Sequence, residues 1–471
     1  MDATPEQLNA LFPHPPLDPP TSYAPRKLVG ITHESTETVL ELLKDNHKKW
    51  HIFINDLKFH NVTLRAAYDN DVANRKPAIV SPEPIDQSNW KDHLGDDKYY
   101  QGYLKYFSGL VLSGSPQSVF EDYIMSKDAN LVPGKGGKAP LMLSRFMAGF
   151  VHSLIHLAYG FEFGLPGLIA EGIAQAAVHN VELVSLYTPE LFEASETRTD
   201  HGPHALTLLA RIANDNAFSQ ATLQFSEDLF PKDGPAIERL VRLAGPELVK
   251  YVKEWVVPVD KKAIKAKFEE VVWMNTLVYA VGGWSGRKLS LHKKGDFNAD
   301  FFLMHLVTSA VLMPSLLGEL KPSSASVLMR IYFTASLVVY ISRGRPSLPI
   351  ADFYASTTAM PSEPGPLPPA TDKTLPPIAA PNPWTQIIQA AIAHPDEHFC
   401  KIQRALVHFA TVYGSSPKGR FSEMSNDGLQ GAEPLDGTLF IRAAGLTADR
   451  MGWVRQGEVN EFWDLVGFFR L

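Results

Sequence analysis

A chain of 471 residues with 45% hydrophobic and 10% aromatic content can bury a substantial core, and its length suggests about two or three structural units. The net charge of −7 comes from 44 basic and 51 acidic residues without a run of five basic ones, which excludes charge-driven binding to nucleic acid or an anionic membrane and leaves a small molecule or a protein as the expected partner. A single cysteine, Cys400, excludes an intramolecular disulfide and a thiolate cluster, so any metal must be held by nitrogen and oxygen.

Residues 1–30 are a proline-rich arm whose acids and prolines do not suit a secretory signal, and the chain reads as cytosolic. "STETVLELLKDNHKKWHIF" (35–53) carries acids early and lysines late, the charge order a helix dipole favours, and is the first predicted helix. Further helical patterns fall near 98–110, 115–126, 141–160, 166–182, 204–216, 236–256, 262–279, 298–317, 323–341, 384–413 and 457–466. "FFLMHLVTSAVLMPSLL" (301–317) is the most membrane-like run, but it is short for a span and carries His305 and Pro314, so a buried core helix is expected. "GTLFIRAAG" (437–445) is the best strand candidate. Residues 346–383 hold eleven of the 36 prolines and cannot continue a helix, which divides a main helical region (31–345) from a C-terminal helical segment (384–471) that completes the site. The predicted class is mainly α: a large, bundle-like single catalytic unit with a small C-terminal extension.

The chemistry concentrates in three of these helices. In "LMLSRFMAGFVHSLIHLAYGFEFG" His152 and His156 sit four apart, and on one continuous helix they share a side with Arg145, Ala148, Gly149 and Tyr159. Small residues beside paired imidazoles leave room for a ligand, while two core histidines donating to carbonyls would look the same in sequence. Glu162 and Glu171 follow closely enough to orient an imidazole. His305 stands in an apolar helix with Thr308 and Ser309 on its side, as a ligand or a satisfied core histidine. In "HPDEHFCKIQRAL" (394–406), His398 lies in the apolar face and Lys401 on its flank, where the lysine either snorkels to water or, partly buried, becomes a neutral amine able to act as a base, a Schiff-base nucleophile or a CO2 acceptor. His60 in "LKFHNVT" is a further ligand candidate or a turn histidine, and His179, His394 and His408 add imidazoles without distinctive spacing. Arg343 and Arg345 in "SRGRP" suit a helix C-terminus or an anionic, phenolate-like substrate. There is no Walker A sequence, no GxGxxG after a strand, no HExxH and no GxSxG.

The blocks "GFVHSLIHLAYGFEFGLPGLIAEGIAQAAVH", "DFNADFFLMHLVTSAVLMPSLL", "VVYISRGRP", "AHPDEHFCKIQRALVHFATVYG" and "TLFIRAAGLTADRMGW" resemble, in order, the questin oxidase-like family of fungal polyketide pathways. The resemblance implies a helical fold and an oxidoreductase that opens anthraquinone-type rings. Members are described both as Baeyer-Villiger-type oxidases and, in one branch, as non-haem iron dioxygenases whose iron is held by four histidines and a carboxylated lysine. Carried over, Lys401 matches that lysine, with His152 or His156, His305, His398 and His60 as nitrogen ligands; the expected catalytic set is His156, His398 and Lys401, and the residues' own placement puts Arg145, Tyr159, Arg343 and Arg345 about the substrate. One departure stands out: the family's His-Asn-His is followed by another histidine pair, whereas here His60-Asn61 runs into "VTLRAAYDND". The expected cofactor is Fe(II), with O2 as co-substrate. The rival expectation is a metal-free Baeyer-Villiger monooxygenase that acts on a hydroquinone reduced beforehand by NADPH, and a third is a helical binding protein without turnover.

Overall fold

The computed structural model describes residues 3–16, 18–25, 32–51, 65, 68–69, 76–192, 202–225, 233–288, 295–361, 364–365 and 382–469. Helices dominate them, and the one sheet among them is a two-residue antiparallel pair, Trp50–His51 with Lys76–Pro77. The chain forms two compact units, the first made of 1–203, 245–268 and 311–335, the second of 204–244, 269–310 and 336–471. The second unit takes segments from both sides of the proline-rich stretch, because helices distant in sequence pack together.

In the first unit the predicted opening helix is His33–Lys49, started by a reciprocal cap between Thr32 and Ser35. The helices Met142–Phe163 and Pro166–Val178 form a tight hairpin. Gly164 closes the first with φ +63°, a left-handed conformation glycine adopts without steric cost, and Pro166 opens the second. The two backbones then touch: a Cβ on Gly172 would come within 2.7 Å of Leu157 Cβ, and one on Gly160 within 2.5 Å of Ile169 Cγ1. Met142–Phe163 is not the continuous helix expected. Ala148 is extended and Gly149, Phe150 and Val151 are all left-handed, so the helical phase is broken between Arg145 and His152. For Phe150 and the β-branched Val151 this conformation is strained.

In the second unit Glu397–Tyr413 packs against Phe301–Ala310 and Leu439–Met451. The predicted helix 384–413 is two helices, Pro383–Ala393 and Glu397–Tyr413. Pro395 disfavours helical backbone at His394, and Asp396 restarts the chain by accepting from Phe399 N at 3.0 Å. The predicted helix 298–317 is likewise broken, into Phe301–Ala310 and Met313–Glu319, the second with Pro314 in its first turn.

Two further expectations are corrected. The strand expected over 437–445 is the helix Leu439–Met451; its buried Leu439, Phe440, Ala443, Leu446 and Thr447 have helical spacing once the window is extended. The helix expected over 457–466 is irregular. Asp464 there pairs backbone with the chain before His305's helix: Phe301 N donates to Asp464 O at 2.9 Å and Asp464 N to Ala299 O at 3.0 Å. One helix among the described residues, Pro322–Ser342, is long and apolar enough to cross a membrane, and 83% of its apolar window is buried inside the protein, as in a core helix.

Candidate functional site

The helix Phe301–Ala310 is capped by Asp300, whose Oδ1 accepts from Phe302 N and Leu303 N at 3.0 Å each. This fixes His305 one turn in, where its Nδ1 donates to Phe301 O at 2.7 Å. His398, in the first turn of Glu397–Tyr413, brings its ring centroid to 5.2 Å from that of His305. Phe301 lies edge-on to both, 4.5 Å from His305 and 4.9 Å from His398, with Trp463 further along at 6.4 Å. The Nδ1 of His398 lies 2.7 Å from Glu397 Oε1. With both Nδ1 atoms held by the protein, a metal ion would take the Nε2 of each ring, the division of labour that metal-ligating histidines use. Asp396, Glu397 and His398 also bring one ligand atom each within 4.8 Å of one another. Asp396 is partly committed, since it starts the helix and accepts from Trp463 Nε1 at 3.1 Å.

Lys401 follows His398 by one turn. As a residue it keeps an intermediate exposure, yet burial pushes its amine down from the ordinary 10.5 to about 7. A lysine in that range is neutral in a large fraction of molecules near physiological pH, as carbamate formation with CO2 or base catalysis requires. Imidazoles such as His305 and His398 are ligand types that suit a non-haem iron ion, and a carbamate on Lys401 would add an oxygen of the kind such an ion takes.

A second cluster lies in the first unit. Both oxygens of Glu171 are occupied by imidazoles: Oε1 by His47 Nδ1 at 2.5 Å and Oε2 by His156 Nε2 at 2.6 Å, all three side chains buried. Burial raises the Glu171 pKa, but the hydrogen bonds from His156 and His47 and their charges outweigh it and leave the carboxyl lowered. The Nε2 of His47 is buried without a hydrogen-bond partner among the described residues. His152 turns differently, its Nδ1 lying 2.5 Å from Gly149 O. His152 and His156 therefore do not share one helical face with Arg145 and Gly149, because the left-handed turn separates them.

The remaining sequence candidates have protein partners. Arg145 donates from Nε to Pro140 O at 2.9 Å and from Nη1 to His179 O, and burial lowers its pKa. Tyr159 is buried and stacks on Phe163 with centroids 6.0 Å apart. Arg343 is held by Asp300 Oδ2, at 3.1 Å from Nε and 2.8 Å from Nη2, and by Leu465 O at 2.7 Å. Arg345 donates from Nη1 to Ile212 O at 2.8 Å and Asp215 O at 2.6 Å. His394 serves the break between two helices: its Nε2 donates to Met451 O and its Nδ1 accepts from Asp396 N, both at 3.1 Å. His60 lies outside the described residues.

His47 is the residue that the sequence candidates lack, although a signal for it exists. It continues the stripe Leu40, Leu43, His47, spaced three and four apart, and all three are buried. Asp300 and Asp464 carry no comparable local signal.

Helices that bury a carboxylate between two imidazoles, a second imidazole pair and a lysine near its neutral point define the class: a mainly α protein equipped for acid–base or metal chemistry. Comparison supplies the particular family. The profile described as questin oxidase-like matches residues 45–406, so the chain belongs to that family and is an oxidoreductase. It is similar to the Baeyer-Villiger oxidase ptaJ of Pestalotiopsis fici, 22% identical over 439 residues and 88% of each chain. It is also similar to the questin oxidase of Aspergillus terreus, 23% identical over 438 residues, 88% of this chain and 87% of the relative. The Baeyer-Villiger monooxygenase AacuH of Aspergillus aculeatus is 27% identical over 310 residues, 60% of this chain and 62% of the relative. Family membership sets aside the expectation of a binding protein without turnover.

Proposed function

We propose that this oxidoreductase is an oxygenase of fungal secondary metabolism that opens a ring of a polycyclic, anthraquinone-type polyketide with O2 at a non-haem iron. The observation that carries the reading is the His305–His398 ring pair at 5.2 Å with Lys401 one turn further along the same helix as His398. The relatives' names, questin oxidase and Baeyer-Villiger oxidase, support ring-opening oxidation as the reaction class.

His305 and His398 would hold the metal through Nε2. Lys401 would take up CO2 to give a carbamate, whose anionic oxygen replaces the carboxylate more usual at such sites. Iron, when bound, supplies O2 activation that amino-acid side chains alone do not. Phe301 and Trp463 provide aromatic faces beside the imidazoles, suited to stacking a planar substrate and to excluding water. His156 is held by Glu171 in a fixed orientation and is the candidate proton carrier of the first unit.

The test is metal analysis joined to turnover. Iron should co-purify at one equivalent with activity, His398→Ala should lose both, and 13C-bicarbonate should give a carbamate signal that Lys401→Arg lacks. Full activity in metal-free protein would overturn the iron and favour the second reading, which the Baeyer-Villiger names of relatives support. In that reading NADPH reduces the quinone beforehand, a histidine deprotonates the hydroquinone, and the phenolate reacts with O2 directly.

A further inference from the structure

On the exposed surface of the first unit, three side chains from two segments meet. His14 follows the helix Pro5–Leu11, while His33 and Glu37 lie four apart at the start of His33–Lys49. His14 Nε2 is 2.9 Å from Glu37 Oε1, and His33 Nε2 is 3.8 Å from the same oxygen. The two rings stack nearly parallel, 5.8 Å between centroids and 9° between planes. One ligand atom from each of the three residues lies within 4.8 Å of the other two, and all three residues are exposed.

We propose that His14, His33 and Glu37 form a surface site for a first-row divalent metal ion such as Zn2+, which clips the amino-terminal arm to the helix His33–Lys49. Two imidazole nitrogens and one carboxylate oxygen are the donor types that zinc takes, and water completes the coordination at an exposed position. A simple ion pair needs one imidazole on the carboxylate; here a second, from another segment, is stacked on the first. The site exists only when the arm is docked, so metal binding favours docking by mass action.

What the clip fastens is structurally significant. The arm buries Leu8, Leu11 and Phe12. The Phe12 ring meets His47 edge-on at 5.2 Å and fills the place over Gly167, where a Cβ would come within 2.4 Å of Phe12 Cζ. His14 is two residues further on, so an ion bound there secures the cover of the imidazole that holds Glu171. This inference goes beyond the oxygenase reading and shares no residue with it.

The experiment is zinc titration of the full chain by calorimetry, with wild type, His14→Ala and His33→Ala compared, and with hydrogen–deuterium exchange of residues 5–12 followed in parallel. Both substituted side chains are exposed, and circular dichroism checks that the variants fold. Wild type should bind one zinc equivalent that each variant binds at least ~10-fold more weakly, since losing even an outer partner of a metal ligand costs about that much. Exchange over 5–12 should slow by about 100-fold at zinc one hundred times its Kd in wild type alone. Equal zinc affinity in all three proteins would overturn the site, and unchanged exchange with the site filled would overturn the clip. Any equivalent bound through His305 and His398 is common to the three proteins and cancels from the comparison.

Discussion

The two imidazole clusters are built on opposite principles. In the first unit Glu171 uses both carboxylate oxygens on His47 and His156, and His47 Nε2 is left buried without a hydrogen-bond partner among the described residues. In the second, His305 and His398 face one another, each tied at Nδ1, and burial lowers the amine of Lys401, one helical turn from His398, to about 7. A carboxylate that pairs with two imidazoles fixes their geometry at a large cost for its removal. Imidazoles oriented through one nitrogen have the arrangement that metal-ligating histidines use, the role proposed for His305 and His398.

The largest expected effect tests the first cluster. Glu171→Ala leaves two buried imidazoles without their shared acceptor and should cost about 3–5 kcal/mol of stability, read by denaturant unfolding. His398→Ala should cost far less stability, yet reduce turnover by at least ~100-fold. If Glu171→Ala unfolds no more easily than His398→Ala, the contrast between the clusters collapses.

The first unit also carries a pH effect, at His51. His51 stacks on Tyr100, with centroids 4.2 Å apart, and burial lowers its pKa from 6.5 to about 4. Between those values the unfolded chain binds more protons than the folded one, so stability falls as pH drops from 6.5 toward 4. The whole window amounts to at most about 3 kcal/mol, and His51→Phe should flatten it in thermal unfolding scans across pH.

The second cluster carries the larger of the two pH effects, because the gap between its folded and ordinary pKa is wider. With a folded pKa near 7 against 10.5, Lys401 is protonated in both states below pH 7, where the folded protein bears the full cost of burying the charge. Stability should therefore climb from pH 7 to 10.5, and Lys401→Met should be more stable than wild type below pH 7 and converge with it at alkaline pH. A wild-type curve parallel to that of Lys401→Met would place the amine in water. Lowering CO2 should remove activity at constant pH in wild type if the carbamate forms.

Much of the helical framework was legible because its determinants are local. Thr32 with Ser35 and Gly164 with Pro166 are start and stop signals within four residues of the backbone groups they serve. The misreadings have equally specific causes. A nine-residue apolar window at 437–445 cannot separate strand from helix. The segment 457–466 has a helix-compatible pattern, but Asp464 satisfies its backbone against Ala299 and Phe301 instead, and its side chain takes Arg450 Nε at 3.2 Å. The left-handed turn at 149–151 hides inside an apolar run, where only Gly149 hints at it.

Residue type and spacing alone established the mainly α class, the exclusion of thiolate metal chemistry, the helices that carry His152, His156, His305, His398 and Lys401, and the order of family-like blocks. They could also place Lys401 on the flank of an apolar face, where a depressed pKa was one of two outcomes. Only the tertiary structure decided that Glu171 serves His47, 124 residues away, together with His156, that His305 meets His398, and that Arg343 is held by Asp300. The physical reason is range: caps and periodicities act within about a turn of helix, while the partner of a buried charge is chosen by packing, which brings together groups whose separation along the chain carries no signal.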